Sequence, residues 1–190
     1  GLGIDLITQR AWSVDQKDIT VSLKQLSEGS GQETPSSTTT SPKSSQPVLV
    51  SDVDVPRPSQ ATTRKNAHAI VVGLDTYRNQ LPKAEYAGRD AQVVAEYLSK
   101  TMGYEGANVA VLVNDRATKG DLEKYFESWL PNRVEKGDTV FIYYSGHGAP
   151  NPKTGESYLV PYDGDPTFID KTGYPLSSLY QQLAKLPAKE

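Results

Sequence analysis

The sequence predicts an α/β fold, a mainly parallel sheet with helices on both faces, carried by the second two thirds of the chain behind a β-rich extension. Three observations carry that prediction. From Asn66 onward, short apolar runs alternate with longer segments of helical period. The connections between them are short, and a β-α-β-α-β order then closes into one parallel sheet covered on both sides. The runs are apolar on both faces, as in strands buried between helix layers.

Residues 1–26 come first, with short alternating stretches such as Ile19, Val21 and Leu23 that read as the end of a preceding β-rich module. Residues 27–65 have the character of a linker. In TPSSTTTSPKSSQP (34–47) twelve of fourteen residues are Ser, Thr or Pro, which leaves too little to bury against the ordering entropy. VLVSDVDV (48–55) interrupts the linker as an added edge strand, ended by Pro56 and Pro58. The domain proper is 66–190. HAIVVGL (68–74) is its first strand. YAGRDAQVVAEYLSKTM (86–102) follows as a helix with Ala91, Val94, Ala95, Leu98 and Met102 on one face and Gly103 as its stop. NVAVLVN (108–114) is the second strand. The next helix starts at Thr118, with Asp121 completing a capping box, and presents Leu122, Tyr125, Phe126, Trp129 and Leu130 until Pro131 ends or kinks it. The third strand spans 139–144, and PLSSLYQQLAKLPAKE (175–190) reads as a last helix.

Composition narrows the function classes. A net charge of −3 argues against a nucleic-acid partner, and no apolar run is long enough to span a membrane. No cysteine is present, so disulfides and thiolate metal sites are excluded for these residues. The start, Gly1-Leu2-Gly3-Ile4, has no methionine and no readable signal peptide. It looks like a piece of something longer, and a cytoplasmic location is favoured.

The residues that ask for a chemical explanation are Ser145-Gly146-His147-Gly148, at the carboxyl end of the third strand. Such ends are where open α/β sheets collect functional groups. One reading is an exposed turn. Against it, flanking glycines would let a substrate approach the backbone, the Gly148 N–H could face a developing oxyanion, and a strand end holds a general base rigidly. Metal ligation lacks partners, since the other histidine, His68, begins the first strand at the opposite edge and reads as a half-buried strand residue. Phosphate binding lacks a glycine-rich loop after the first strand. Ser145 is too close in sequence to serve His147 as nucleophile, and no nucleophile elbow is present. The histidine needs a nucleophile from elsewhere.

HAIVVGLDTY, YAGRDAQVVAEYL, VLVNDRATKGDLEKYF, GDTVFIYYSGHG and YLVPYDGD occur in an order that resembles the caspase-like cysteine peptidases, and most of all the metacaspases and their prokaryotic relatives. The resemblance covers 66–190 and implies a three-layer caspase-like fold, incomplete here at its C-terminus. It implies an endopeptidase in which a histidine after the third strand pairs with a cysteine after the fourth, forming an acyl-enzyme. His147 matches that histidine, and the Gly148 N–H matches an oxyanion donor. The family's cysteine lies about 50 residues after the histidine. The chain runs 43 residues past His147, so the resemblance places the cysteine beyond Glu190 and leaves this chain inactive alone.

The metacaspase likeness also implies an acidic pocket for Arg or Lys before the scissile bond. Asp90 matches its carboxylate and Ser145 its serine, while Arg89 replaces the family's Asn. A calcium site in the family draws on acidic residues after the histidine. Glu156 and Asp163 match its first part, but Pro175-Leu176-Ser177-Ser178 stands where its Asp-Asp pair would be, so no cofactor or metal is expected. Implied partners are a protein or peptide substrate and a cysteine-bearing C-terminal fragment of the same precursor. Arg57 and Arg64-Lys65 are candidate self-processing sites. The rival readings are a non-catalytic caspase-fold scaffold and, further off, a flavodoxin-type nucleotide-binding domain.

Overall fold

The computed structural model describes residues 55–59 and 61–189; the expected β module and most of the linker, with all but the last residue of the 48–55 strand, lie outside them. Three parallel strands form the main sheet: β1 (Ala67–Gly73) in the centre, β2 (Val109–Val113) and β3 (Thr139–Ser145) on either side. Their registers pair Ala69 with Val109 and Ala67 with Thr139. Only β1 is buried along its whole length. β2 and β3 are partly exposed, because among the described residues each has a strand on one flank only.

The alternation of side chains along β1 and β3 separates two apolar layers. Ala67, Ala69 and Val71, with Phe141 and Tyr143 at the margin, pack on α1 (Ala87–Glu96) through Ala91, Val94 and Ala95, and on Leu98 just past it. Ile70, Val72, Leu74 and Tyr144 point the other way. They meet Leu122 of α2 (Lys119–Lys124), then Phe126 and Leu130 just beyond it. Both helices run on in a wider turn, seen in the i→i+5 bonds from Met102 N–H to Tyr97 O and from Leu130 N–H to Tyr125 O. The single helices expected over 86–102 and from Thr118 are thus each α-helical only in their first part. The capping box is present with both its bonds, and Gly103, at φ +76, ends the first helix as expected.

A second, antiparallel sheet was not legible in the sequence. β4 (Gly148–Pro150), β5 (Ser157–Leu159) and β6 (Tyr174–Pro175) follow the histidine turn. The short α3 (Ile169–Thr172) precedes β6, and α4 (Leu176–Lys185) then packs Leu179 into the α2 layer. After α4 the chain passes Gly137 and Asp138. Gly137 N–H donates to Pro187 O and Lys189 N–H to Asp138 O, so residues 187–189 lie beside the entry to β3. At the other end of the described chain, residues 55–65 are fastened to the domain. Thr101 Oγ1 donates to Arg57 O, Ser59 N–H to Lys100 O and Arg64 N–H to Gly103 O. The Arg64 guanidinium sits 5.1 Å from the Tyr104 ring centroid and bonds Thr139 Oγ1 at 3.2 Å. No helix among the described residues is long and apolar enough to cross a membrane.

Candidate active site

β3 delivers Ser145 to the carboxyl end of the sheet, where Leu74 N–H takes the Ser145 carbonyl, and the chain then turns through Gly146 and His147 into β4. Two tyrosines from different elements hold that turn. Tyr77, in the loop after β1, accepts the His147 N–H at 2.6 Å through its hydroxyl. The Tyr144 hydroxyl lies 2.8 Å from His147 O and 2.9 Å from Val160 O. Both phenols crowd Gly146. A Cβ there would stand 2.9 Å from the Tyr77 oxygen and 3.1 Å from that of Tyr144. The first glycine of the motif therefore has a packing reason of its own.

The imidazole of His147 is partly exposed and stacks on Tyr77, with ring centroids 4.9 Å apart and planes at 24°. Its Nε2 is 2.6 Å from the carbonyl oxygen of Pro82. A carbonyl only accepts, so Nε2 carries the hydrogen, and in the neutral ring Nδ1 is the nitrogen able to take a proton. Gly148 is equally constrained. Val160 N–H donates to His147 O and Asn151 N–H to Glu156 O, which makes His147 and Asn151 ladder positions. Gly148, opposite Leu159, falls between such positions, and its N–H points away from β5.

The other two expected site residues lie on the α1 side of the sheet. Asp90 is exposed in the first turn of α1. Tyr143, two residues before Ser145 on β3, shares its face of the sheet and packs against the α1 layer. Partial burial and the Asp90 charge push the Tyr143 phenol above its ordinary range. The four residues thus surround one strand end, with His147 turned toward the Tyr77 and Pro82 loop. Asp75 anchors that arrangement from behind: its Oδ1 accepts the Gly88 N–H at the start of α1, and its own N–H donates to Asn114 Oδ1. Tyr86, at the same helix start, is 64% exposed and left-handed at φ +71, a conformation bulky residues rarely adopt.

Sequence reasoning missed Tyr77, Tyr143 and the Pro82 carbonyl. A main-chain acceptor leaves no residue-type signal, Tyr143 falls inside an apolar strand run, and Tyr77 lies past the end of the first one. His68 is not half-buried but buried, 5% exposed, with Nε2 3.1 Å from Asp138 Oδ2 at the amino end of the sheet, far from His147. The acidic residues of the calcium pattern have separate tasks. Glu156 accepts from Tyr158 and Ser177, which lowers its pKa, and Asp163 accepts the first N–H of α2 from Lys119. Those two do not form the six-oxygen shell a hard cation takes.

A family model described as a caspase domain matches residues 66–188. Metacaspase-1A of Aspergillus niger is 28% identical over 90 residues, 44% of this chain and 22% of that protein. Metacaspase-1 of Saccharomyces cerevisiae is 27% identical over 96 residues, 47% of this chain and 21% of that protein. The matched stretch thus spans about a fifth of these relatives' length. The crystal structure of protein GSU0716 from Geobacter sulfurreducens shares the fold, with a TM-score of 0.53 at 20% identity over 64% of this chain and 47% of that one.

Proposed function

Because this chain belongs to the caspase-domain family of cysteine peptidases, we propose that it is the histidine-bearing part of an endopeptidase that cuts after Arg or Lys, with its cysteine beyond residue 190. The observation that carries this reading is the His147 ring. Its Nε2 is tied to Pro82 O, which leaves Nδ1 to take a proton at a rigid strand end. In the proposed reaction Nδ1 accepts the thiol proton as sulfur attacks the scissile carbonyl carbon. The Gly148 N–H stabilises the oxyanion, and His147 returns the proton to the leaving amine, after which water releases the acyl group. Asp90 and Ser145 take the basic side chain.

The fold supports a place for the nucleophile. The outer flank of β3 carries no strand among the described residues, and Lys189 N–H already bonds Asp138 O beside that flank. A parallel neighbour keeping step with β3 reaches the level of His147 about nine residues past Lys189, which is about 50 residues after the histidine. In the same reading residues 1–26 and the linker form an attached module that localises or regulates the domain.

The test uses the product of the full-length natural gene. Its denatured polypeptides should include a cysteine alkylated by iodoacetamide and protected by an arginyl chloromethylketone. His147→Asn should abolish cleavage of arginyl and lysyl peptides while leaving the thermal melt unchanged. A thiol indifferent to the inhibitor, or no cysteine-bearing polypeptide at all, would instead make this domain a scaffold.

A further inference from the structure

Tyr143 lies on the α1 side of the sheet with the two residues assigned to substrate and has no part in the reaction above. It shares a face of β3 with Ser145, two residues on, and packs against the α1 layer beside Ala91, the neighbour of Asp90. Phe141, the previous residue on that face, lies deeper along the strand; Tyr143 is nearer the carboxyl end, with its ring partly exposed. Its ring lies on the same face as Ser145, and the Asp90 charge raises its phenol above the ordinary range, after burial as the first cause. An aromatic face, a hydroxyl pair and a carboxylate are thus gathered at one strand end.

We propose that Tyr143 is a specificity-determining residue of this pocket, one whose ring stacks on a guanidinium and sets arginine above lysine. The inference rests on the basic-residue reading of Asp90 and Ser145. Its chemistry follows from shape. A guanidinium offers in-plane N–H groups to a carboxylate and a weakly hydrated flat face to an aromatic ring at the same time. An ammonium offers only a compact, strongly hydrated charge, so the carboxylate would hold both side chains and the ring would favour one.

The experiment measures kcat/KM of the full-length enzyme on two fluorogenic peptides that differ only in Arg or Lys before the scissile bond. Tyr143→Phe keeps the ring and should hold the Arg-to-Lys ratio within about twofold. Tyr143→Leu should lower the ratio about fivefold, through a higher KM for the arginyl peptide. Asp90→Asn should depress both peptides together. An unchanged ratio in Tyr143→Leu with a near-wild-type melt overturns the proposal. Should Tyr143→Leu melt early, Tyr143→Met, which fills the space without an aromatic face, decides in its place by the same ratio. Failure of the underlying reading looks different: the wild type would cut neither peptide, or would be unaffected by Asp90→Asn, and the assignment of Tyr143 would fall with it.

Discussion

Tyr77 touches His147 twice, through a ring stack and through the hydroxyl that accepts the histidine's own N–H. Burial raises that phenol to about 12, and its bond to the His147 backbone only partly offsets the rise. Tyr77→Phe removes the acceptor and keeps the stack. It should cost about 0.5–1.5 kcal/mol in denaturant titrations, because a partly buried N–H loses its partner. In the full-length enzyme it should lower kcat roughly tenfold or more with KM little changed, since the turn that aims the imidazole loosens. A KM effect alone would refute the positioning role. The position of His147 and Gly148 just past the third strand was legible, because the glycine-histidine motif follows an apolar run in one dimension. Tyr77 and Pro82 were not, since their importance comes from the fold bringing positions 77 and 82 onto 147.

At the scale of elements, local chemistry and tertiary context divide cleanly. The start of α2 was legible because Thr118 and Asp121 satisfy each other's backbone within four residues. Thr118→Ala should cost about 1 kcal/mol in urea titrations. The antiparallel sheet was not legible, because strands of two or three residues carry no period and are defined only by their partners. The segment ending at Lys65 reads as linker by composition, yet Arg64 is anchored by its backbone, by Thr139 and by Tyr104. Trypsin should therefore leave the Arg64–Lys65 bond intact until the domain melts, as read by mass spectrometry of a timed digest. Early cleavage there would restore it as a processing site.

For the molecule as a whole, the order of elements was readable from the alternation of runs, while the difference in burial between central and flanking strands was not. That difference depends on how many strands the sheet has, which no single strand encodes. One collective property follows from the tyrosines. Tyr77, Tyr143, Tyr144 and Tyr174 all have phenols raised above the ordinary 10.0, first through burial in every case. Unfolded tyrosines ionise near pH 10.0, before these folded ones do. Their stabilising contribution is therefore complete below pH 10.0 and lost as pH rises through the folded values, for Tyr77 about 12. Melting temperature should fall steeply over that interval while phenolate absorbance rises, and Tyr77→Phe should flatten part of the fall.

The bond from His147 to Pro82 has a consequence for anyone scanning this protein by mutation. The group that sets the imidazole's tautomer is an amide oxygen, and every amino acid at position 82 supplies one. Alanine scanning is blind to it, and a genetic screen would see at most the loss of proline's stiffness. Only chemistry on the main chain can interrogate it. Replacing the Pro82–Lys83 amide by an ester through semisynthesis would weaken that acceptor while preserving every side chain, and so would test a constraint that the genetic code has no means to alter.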